Sequence, residues 1–324
     1  MITTAIVGYG NLGKGVCLAL EKAKDMQCLG IFTRRNPKDI NPIVSYPVYS
    51  IEKLKDFKNK IDVLILCGGS ATDLPTTTEV YLRDFNTVDS FDTHAKIPEY
   101  FNKLSKVANE SGKLCAISIG WDPGLFSIAR MIFSAILPDG NDYTFWGKGV
   151  SQGHSDAIRR IEGVKNAVQY TIPNKNALDK VRNGENPQLS VREKHLRECY
   201  VVAKDGANKQ LIEKTIKEMP NYFADYDTIV YFVSEQEFFE KHSKLPHGGL
   251  VLRSGKTAEE NTQIAELSLK LDSNPEFTGS VLTSYARAIA RLAKEGKKGV
   301  LTVFDIPISY LSPLTNEQLR EKLL

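Results

Sequence analysis

Cysteine is scarce in this chain of 324 residues: there are only five, with no Cys-x-x-Cys pair among them. Cys17, Cys28, Cys67, Cys115 and Cys199 are odd in number and mostly sit among apolar neighbours, which argues against a disulfide framework and for reduced, buried thiols in a cytoplasm. The five histidines show no metal-ligand spacing, so no metal is expected. No apolar run approaches the ~18 residues a membrane span needs, and no charged segment followed by an apolar core opens the chain, so neither membrane insertion nor secretion is expected. An excess of one charge is lacking too. With 42 basic and 39 acidic residues the net charge is +3, and no Lys/Arg stripe is interleaved with aromatics, which argues against a nucleic-acid partner. Internal repeats and low-complexity segments are absent. What is present is 42% hydrophobic and 25% charged residues, enough to build two or three globular parts.

The densest signal lies near the start. The apolar run Ala5-Ile6-Val7 leads into Gly8-Tyr9-Gly10-Asn11-Leu12-Gly13 and then a helix-like stretch to Leu20. In that order of strand, turn and helix, Gly8 permits the tight turn, Gly10 lets backbone approach a pyrophosphate, and Gly13 lets helix and strand pack closely. The helix N-terminus then offers unpaired N–H groups to the anion. The next apolar run, Cys28 to Phe32, ends in Thr33-Arg34-Arg35, where an NAD site would carry an acid for the ribose hydroxyls. Two guanidiniums suit a 2′-phosphate instead, so the expected cofactor is NADP; the plain alternative is a solvated basic corner.

Strand-like runs follow at Val63 to Cys67, Thr87 to Asp92 and Leu114 to Ile119, with a polar helix candidate at Ile51 to Phe57. This is the alternation of a parallel α/β sheet, in which ligands bind beyond the carboxyl ends of the strands. Three such ends carry Gly68-Gly69-Ser70-Ala71-Thr72-Asp73, Asp89-Ser90-Phe91-Asp92 and Gly120-Trp121-Asp122-Pro123-Gly124. Longer strands at Tyr143 to Trp146 and Cys199 to Ala203, and a loop over 183–190, mark the end of the nucleotide-binding part. Asn274-Pro275-Glu276 predicts an N-cap and first turn for an amphipathic helix; a strand over Val300 to Ile306 and a terminal helix over Asn316 to Leu324 complete the pattern.

A nicotinamide enzyme needs anchors more than acid–base apparatus, because the cofactor carries the hydride. Thr144 to Asp156 is the richest stretch, combining Trp146, glycines and the donors Gln152 and His154. Both tryptophans, Trp121 and Trp146, fall in polar clusters, although a packed core tryptophan explains each equally well on local grounds. Capping or turn formation explains Asp92 and Asp122 as well as chemistry does. Arg197 and His247 taken alone would read as surface or structural residues.

Taken together, Val7-Gly-Tyr-Gly-Asn-Leu-Gly13, Phe32-Thr-Arg-Arg35, Gly69-Ser-Ala-Thr-Asp73, Val88-Asp-Ser-Phe-Asp-Thr-His94, Gly120-Trp-Asp-Pro-Gly124, Phe145-Trp-Gly147, Ser151-Gln-Gly-His-Ser-Asp156, Ala167-Val-Gln-Tyr-Thr171, Pro246-His-Gly-Gly249 and Leu271-Asp272 with Asn274-Pro275 resemble the meso-diaminopimelate D-dehydrogenase family, from Ala5 to Pro313. The glycine turn is generic; the Trp-Asp-Pro-Gly and Ser-Gln-Gly-His-Ser-Asp stretches are specific. Thr33 and Leu245 are small departures from the family pattern. The resemblance implies an NADP-dependent, reversible oxidative deamination of the D-centre of meso-2,6-diaminopimelate. It implies that Arg197, Thr171 and His247, with Asn274 near, hold the distal carboxylate, and that Trp146, Gln152 and Gly153 lie against the reacting centre. Asp92, Trp121 and Asp122 would border the reacting amine and carboxylate, with Asp92 and Asp122 as the catalytic pair and their division of labour open. Cofactor contacts would come from Gly8, Tyr9, Gly10, Asn11, Leu12, Gly13, Thr33, Arg34, Arg35, Gly69, Ser70, Ala71, Thr72 and Asp92.

The implied architecture is a Rossmann dinucleotide-binding domain over 1–120, completed by about 298–324, with α+β dimerisation and substrate-binding domains. The dimerisation part would take 121–150 and about 184–207, the substrate part 151–183 and about 208–297, in a homodimer. Two other readings are a broad D-amino acid dehydrogenase and an idle NADP-binding sensor. The full set of distal anchors argues against both.

Overall fold

A computed structural model describes residues 1–324. The chain divides into two compact units, one of 1–128 and 275–324 and one of 129–274. In the first unit, β1 (Ile2–Val7), β2 (Met26–Thr33), β3 (Val48–Ser50), β4 (Val63–Leu66), β5 (Thr87–Asp89), β6 (Leu114–Ala116) and β14 (Gly299–Leu301) form one parallel sheet in the order β14-β6-β5-β4-β1-β2-β3. The order reverses direction between β1 and β4, the switch point beyond which a dinucleotide binds. Val7 pairs with Phe32 on one side and Leu66 on the other, so three strands end level with one another.

The crossovers include α1 (Asn11–Lys22), α2 (Leu74–Leu82) and α3 (Ile97–Ser111); α4 (Leu125–Ile136) spans the boundary between the units. The inner strands β4, β5 and β6 are buried on both faces, as crossover helices require. One layer of core joins Ile6, Val16, Ile31, Ile65 and Val88 to Val281, Leu282, Tyr285 and Ile289; the other joins Phe32, Leu64, Leu66, Leu104 and Val107.

That core decides where α10 (Asn274–Lys294) belongs. The sequence assigns 275–297 to the substrate-binding part, whereas the structure packs Pro275 onward with the first unit. The cause is close backbone packing: a Cβ on Gly15 would meet the Pro275 carbonyl oxygen at 2.3 Å, and one on Gly279 would meet the Gly15 carbonyl carbon at 2.5 Å. Arg287, 4% exposed, adds a two-pronged ion pair to Asp25 at 2.6 and 2.9 Å.

The second unit holds two sheets. One has the order β13-β12-β7, from β7 (Gly140–Trp146), β12 (His247–Ala258) and β13 (Asn261–Leu271). The other has the order β11-β10-β9-β8, from β8 (Gly149–Val150), β9 (Val164–Pro173), β10 (His195–Ala203) and β11 (Asp227–Phe232). Around them lie α5 (Gln152–Arg159), α6 (Lys175–Arg182), α7 (Val191–Lys194), α8 (Lys209–Lys217) and α9 (Glu235–His242), and the chain ends in α11 (Asn316–Leu323) in the first unit.

Several elements are shorter than the sequence suggests. The strand expected over 300–306 stops at Leu301, because Asp305 turns back to accept both the N–H and the hydroxyl of Thr302 at 2.8 Å. The run over 87–92 leaves the sheet after Asp89, whose carboxylate takes the Phe91 N–H at 3.1 Å. The Leu114 run stops at Ala116, and Ser118 follows with φ of 58°. The helix expected over Ile51–Phe57 is of the 3-10 type, and Asn274 is the first residue of α10 rather than its cap.

Candidate functional site

The first unit presents a dinucleotide cradle at the level carboxyl ends of its strands. Gly8 stands at φ +96° and donates its N–H to the Phe32 carbonyl at 2.9 Å. A Cβ on Gly13 would meet the Gly8 carbonyl oxygen at 2.3 Å, whereas one on Gly10 would meet no atom within 4 Å. So one glycine is needed for helix–strand packing, and the next leaves open space over the start of α1, where Asn11 and Leu12 offer the helix N-terminus to an anion. Tyr9 is buried, and its hydroxyl accepts the Ile43 N–H at 2.7 Å. These residues fit a pyrophosphate.

Beyond β2, the Thr33 hydroxyl accepts the Arg35 N–H at 3.1 Å, and the Arg35 guanidinium donates to the Tyr9 carbonyl. Arg34 is exposed and pairs with Asp73 at 2.7 Å. Asp73 also accepts the Gly69 N–H at 2.9 Å, and this bond together with Arg34 holds its carboxyl below the usual range. The loop Gly69-Ser70-Ala71-Thr72 is therefore closed by a carboxylate, with a guanidinium across its mouth. A small pocket lies here, lined by Gly8, Phe32, Arg34, Asp73, Thr77 and Tyr81 among others.

Asp92 is exposed, and its N–H donates to the Ser70 hydroxyl at 2.8 Å, joining the loops after β4 and β5. Trp121 is buried edge-to-face on Phe126 at 5.3 Å, and Asp122 is half-buried. The Asp122-Pro123 bond is cis. Gly124 has no substitute in this turn, since at φ +135° its Cβ would meet the Gly120 carbonyl oxygen at 1.8 Å.

Asp89 is a support that sequence reasoning missed. Fully buried, it accepts from Tyr100 Oη at 2.6 Å, Thr78 Oγ1 at 3.1 Å, the Phe91 N–H at 3.1 Å and the Ser118 N–H at 3.2 Å. Burial pushes its carboxyl up and these four donors pull it back. It thereby holds the loops that carry Asp92 and Trp121-Asp122. Its place at the last position of a buried strand was the available signal.

In the second unit, sheet register brings the distal anchors together. Arg197 pairs across β10 and β9 with Thr171, and Thr171 pairs across β9 and β8 with Gly149. His247 lies over that glycine: a Cβ on Gly149 would meet its Nδ1 at 2.5 Å. The His247 Nδ1 also accepts the Gly248 N–H at 2.8 Å.

Arg197 is 7% exposed; it donates to the Thr171 hydroxyl and lies 3.9 Å from the centre of the Tyr226 ring. Its Nε has no partner, and no carboxylate pairs with it. Burial lowers its pKa. A guanidinium held this way lacks only an anion.

Trp146 closes β7, Gln152 and Gly153 open α5 at the surface, and Asn274 donates its backbone N–H to the Leu245 carbonyl at 3.1 Å. A Cβ on Gly153 would meet no atom within 4 Å. Two histidines feel the charge of Arg197: His154, already among the donors of the 144–156 stretch, and His195, which the sequence did not single out. His154 shares a 2.7 Å hydrogen bond with the Ser151 hydroxyl, and His195 accepts the Trp146 N–H at Nε2 at 2.9 Å. Burial, and after it the Arg197 charge, pushes both imidazoles down to about 4.

The parallel sheet, its glycine turn and the arginine-bearing end of β2 define a dinucleotide-binding oxidoreductase of the Rossmann type. Residues 120–273 match the family described as diaminopimelic acid dehydrogenase C-terminal domain. The whole chain is 57% identical to the meso-diaminopimelate D-dehydrogenase of Ureibacillus thermosphaericus, over 99% of that protein. Among solved structures, the DAP dehydrogenase of Corynebacterium glutamicum in complex with DAP is 41% identical with a TM-score of 0.91, covering 100% of this chain and 99% of that one. An engineered D-amino acid dehydrogenase bound to NADP+ is 39% identical with a TM-score of 0.86, at the same coverages. The chain belongs to the meso-diaminopimelate D-dehydrogenase family.

Proposed function

We propose that this chain catalyses the NADP-dependent, reversible oxidative deamination of the D-centre of meso-2,6-diaminopimelate, giving L-2-amino-6-oxopimelate and ammonia in lysine and diaminopimelate biosynthesis. The observation that carries the reading is Arg197, a buried guanidinium with no acidic partner and an unpaired Nε. A dicarboxylate with a second carboxyl far from its reacting carbon supplies that missing partner.

Arg197, Thr171 and His247 hold the distal carboxylate, with Asn274 beside it. Trp146, Gln152 and Gly153 border the reacting centre, and Asp92, Trp121 and Asp122 border its amine and carboxylate. When bound, NADP accepts the hydride from the α-carbon. An aspartate beside the amine accepts its proton or balances the positive charge that develops on nitrogen, and water then releases ammonia from the imine. Arg34 and Arg35 favour the 2′-phosphate, and the small residues of the Gly69-Ser70-Ala71-Thr72 loop admit the cofactor closely.

The proposal extends to a cytoplasmic homodimer, with dimerisation in 121–150 and about 184–207 and substrate binding in the rest of the second unit. All five cysteines are free thiols, no helix is long and apolar enough to cross a membrane, and Met131, Ile132 and Ile136 expose apolar side chains in the dimerisation segment. Light scattering on the purified protein tests the dimer.

The function is tested by NADPH formation with the meso, LL and DD isomers of diaminopimelate and with D-alanine, with NAD as control. Turnover of the meso isomer alone supports the reading. D-alanine turned over equally well points to the broad enzyme, and tight NADP binding without turnover points to a sensor.

A further inference from the structure

The strand β7 lies at the outer edge of its three-stranded sheet, and its last residue gives its N–H to a side chain of the other sheet. The acceptor is Nε2 of His195, 2.9 Å from the Trp146 nitrogen. The same imidazole stacks on the Trp146 indole, with ring centres 5.3 Å apart and planes 21° from parallel. His195 is 2% exposed, so its own position is fixed by packing on all sides. Trp146, by contrast, is 38% exposed.

Acceptance at Nε2 requires a lone pair there, so the ring is neutral with its proton on Nδ1. The low pKa, about 4, keeps it so at neutral and alkaline pH. His195 and Arg197 occupy alternate positions of β10 and face the same way, roughly 7 Å apart along the strand. A single strand therefore carries both the distal-carboxylate anchor and the underlay of the tryptophan.

We infer that His195 is a positioning residue: by accepting the Trp146 N–H and lying flat under the indole, it fixes the wall against which the D-centre is held, in register with Arg197. This rests on the diaminopimelate reading. Removing the support leaves the distal anchors intact, so substrate still binds but its α-carbon is misaligned for hydride transfer.

The test compares His195→Ala with His195→Gln, which keeps an acceptor of similar reach but not the ring. Steady-state turnover of meso-diaminopimelate with NADP is measured beside near-UV circular dichroism of the indole in a Trp121→Phe background. In His195→Ala, kcat is expected to fall about 100-fold with KM changed less than about threefold, as for a small misplacement of a bound reactant. The indole bands should weaken, and His195→Gln should recover at least about tenfold of the lost kcat. A rise in KM at unchanged kcat would overturn the inference, as would unchanged indole bands or equal losses in the two variants. If His195→Ala does not fold, His195→Gln decides alone: a kcat below wild type with weakened indole bands supports the inference, and wild-type kcat with wild-type bands overturns it. Wild-type protein inert toward meso-diaminopimelate removes the parent reading alone, and the indole bands then decide whether His195 orients Trp146.

Discussion

Replacing Arg197 by methionine separates what this residue does for substrate from what it costs the fold. The guanidinium is buried, with the Thr171 hydroxyl and the Tyr226 ring as its company and no carboxylate. Removing one partner of a buried, hydrogen-bonded charge pair costs about 2–5 kcal/mol of binding, which corresponds to roughly 30- to 5,000-fold in kcat/KM. That loss should appear with meso-diaminopimelate, mostly in KM, and should be absent from any residual turnover of D-alanine, which has no distal carboxyl to lose. Stability should move the other way. The substitution forfeits about 1–2 kcal/mol of hydrogen bonding and ring contact. It also relieves a desolvated, unpaired charge, and exchanges of buried charge for packed apolar groups are neutral or stabilising by about 1–4 kcal/mol. Urea unfolding without substrate, followed by circular dichroism, should therefore show a midpoint no lower than wild type. Equal losses on the two substrates would refute the anchor role, and a sharply lower midpoint would refute the account of the unpaired charge.

Acid should weaken the fold in a window set by the two buried imidazoles. His154 and His195 are pushed from about 6.5 to about 4, so the unfolded chain binds protons that the native chain does not. Their stabilising contribution is full above pH 6.5 and is lost as pH falls toward 4, by up to about 3 kcal/mol for each ring. Asp25, Asp73, Glu79 and Glu193 are held below their usual ranges, so they add losses only at lower pH. Urea midpoints that stay flat between pH 7 and 4.5 would contradict this, as would an unchanged slope in His195→Gln. Arg34→Asp should weaken NADP by about 10- to 100-fold, through loss of a charge-assisted contact worth roughly 1.5–3 kcal/mol, while affecting NAD far less. Titration of both cofactors checks it, and equal losses would return Arg34 to the role of a solvated corner. Gly13→Ala forces a Cβ to within 2.3 Å of the Gly8 carbonyl oxygen, so it should lower stability by about 1–3 kcal/mol and NADP affinity with it. Wild-type melting and affinity would disprove the packing argument.

The first half of the nucleotide-binding unit was legible because its signals are local. A glycine turn between strand and helix, and two arginines after a strand, are contiguous in the chain. Arg197, Thr171 and His247 were legible only through family resemblance, since no spacing links residues 171, 197 and 247; pairing across β8, β9 and β10 joins the first two, and the packing of His247 over Gly149 of β8 adds the third. His195 and Asp89 stayed hidden for another reason. Each acts by accepting backbone N–H groups, and the identity of a backbone donor leaves no trace in sequence. The placement of α10 was misjudged because an amphipathic pattern states that a helix buries one face, not which core receives it.

The discontinuity of the first unit bears on how the chain matures on the ribosome. Residues 129–274 form one uninterrupted stretch and can condense as soon as they emerge. The parallel sheet waits, because β14 and the core residues Val281, Leu282, Tyr285 and Ile289 are translated after everything they pack against. Until then the layer over β1, β2 and β4 has α1 but lacks α10, an interval in which a nascent chain attracts chaperones. A stop codon shortly after 274 would therefore leave a well-formed second unit attached to a nucleotide-binding half that cannot close its core.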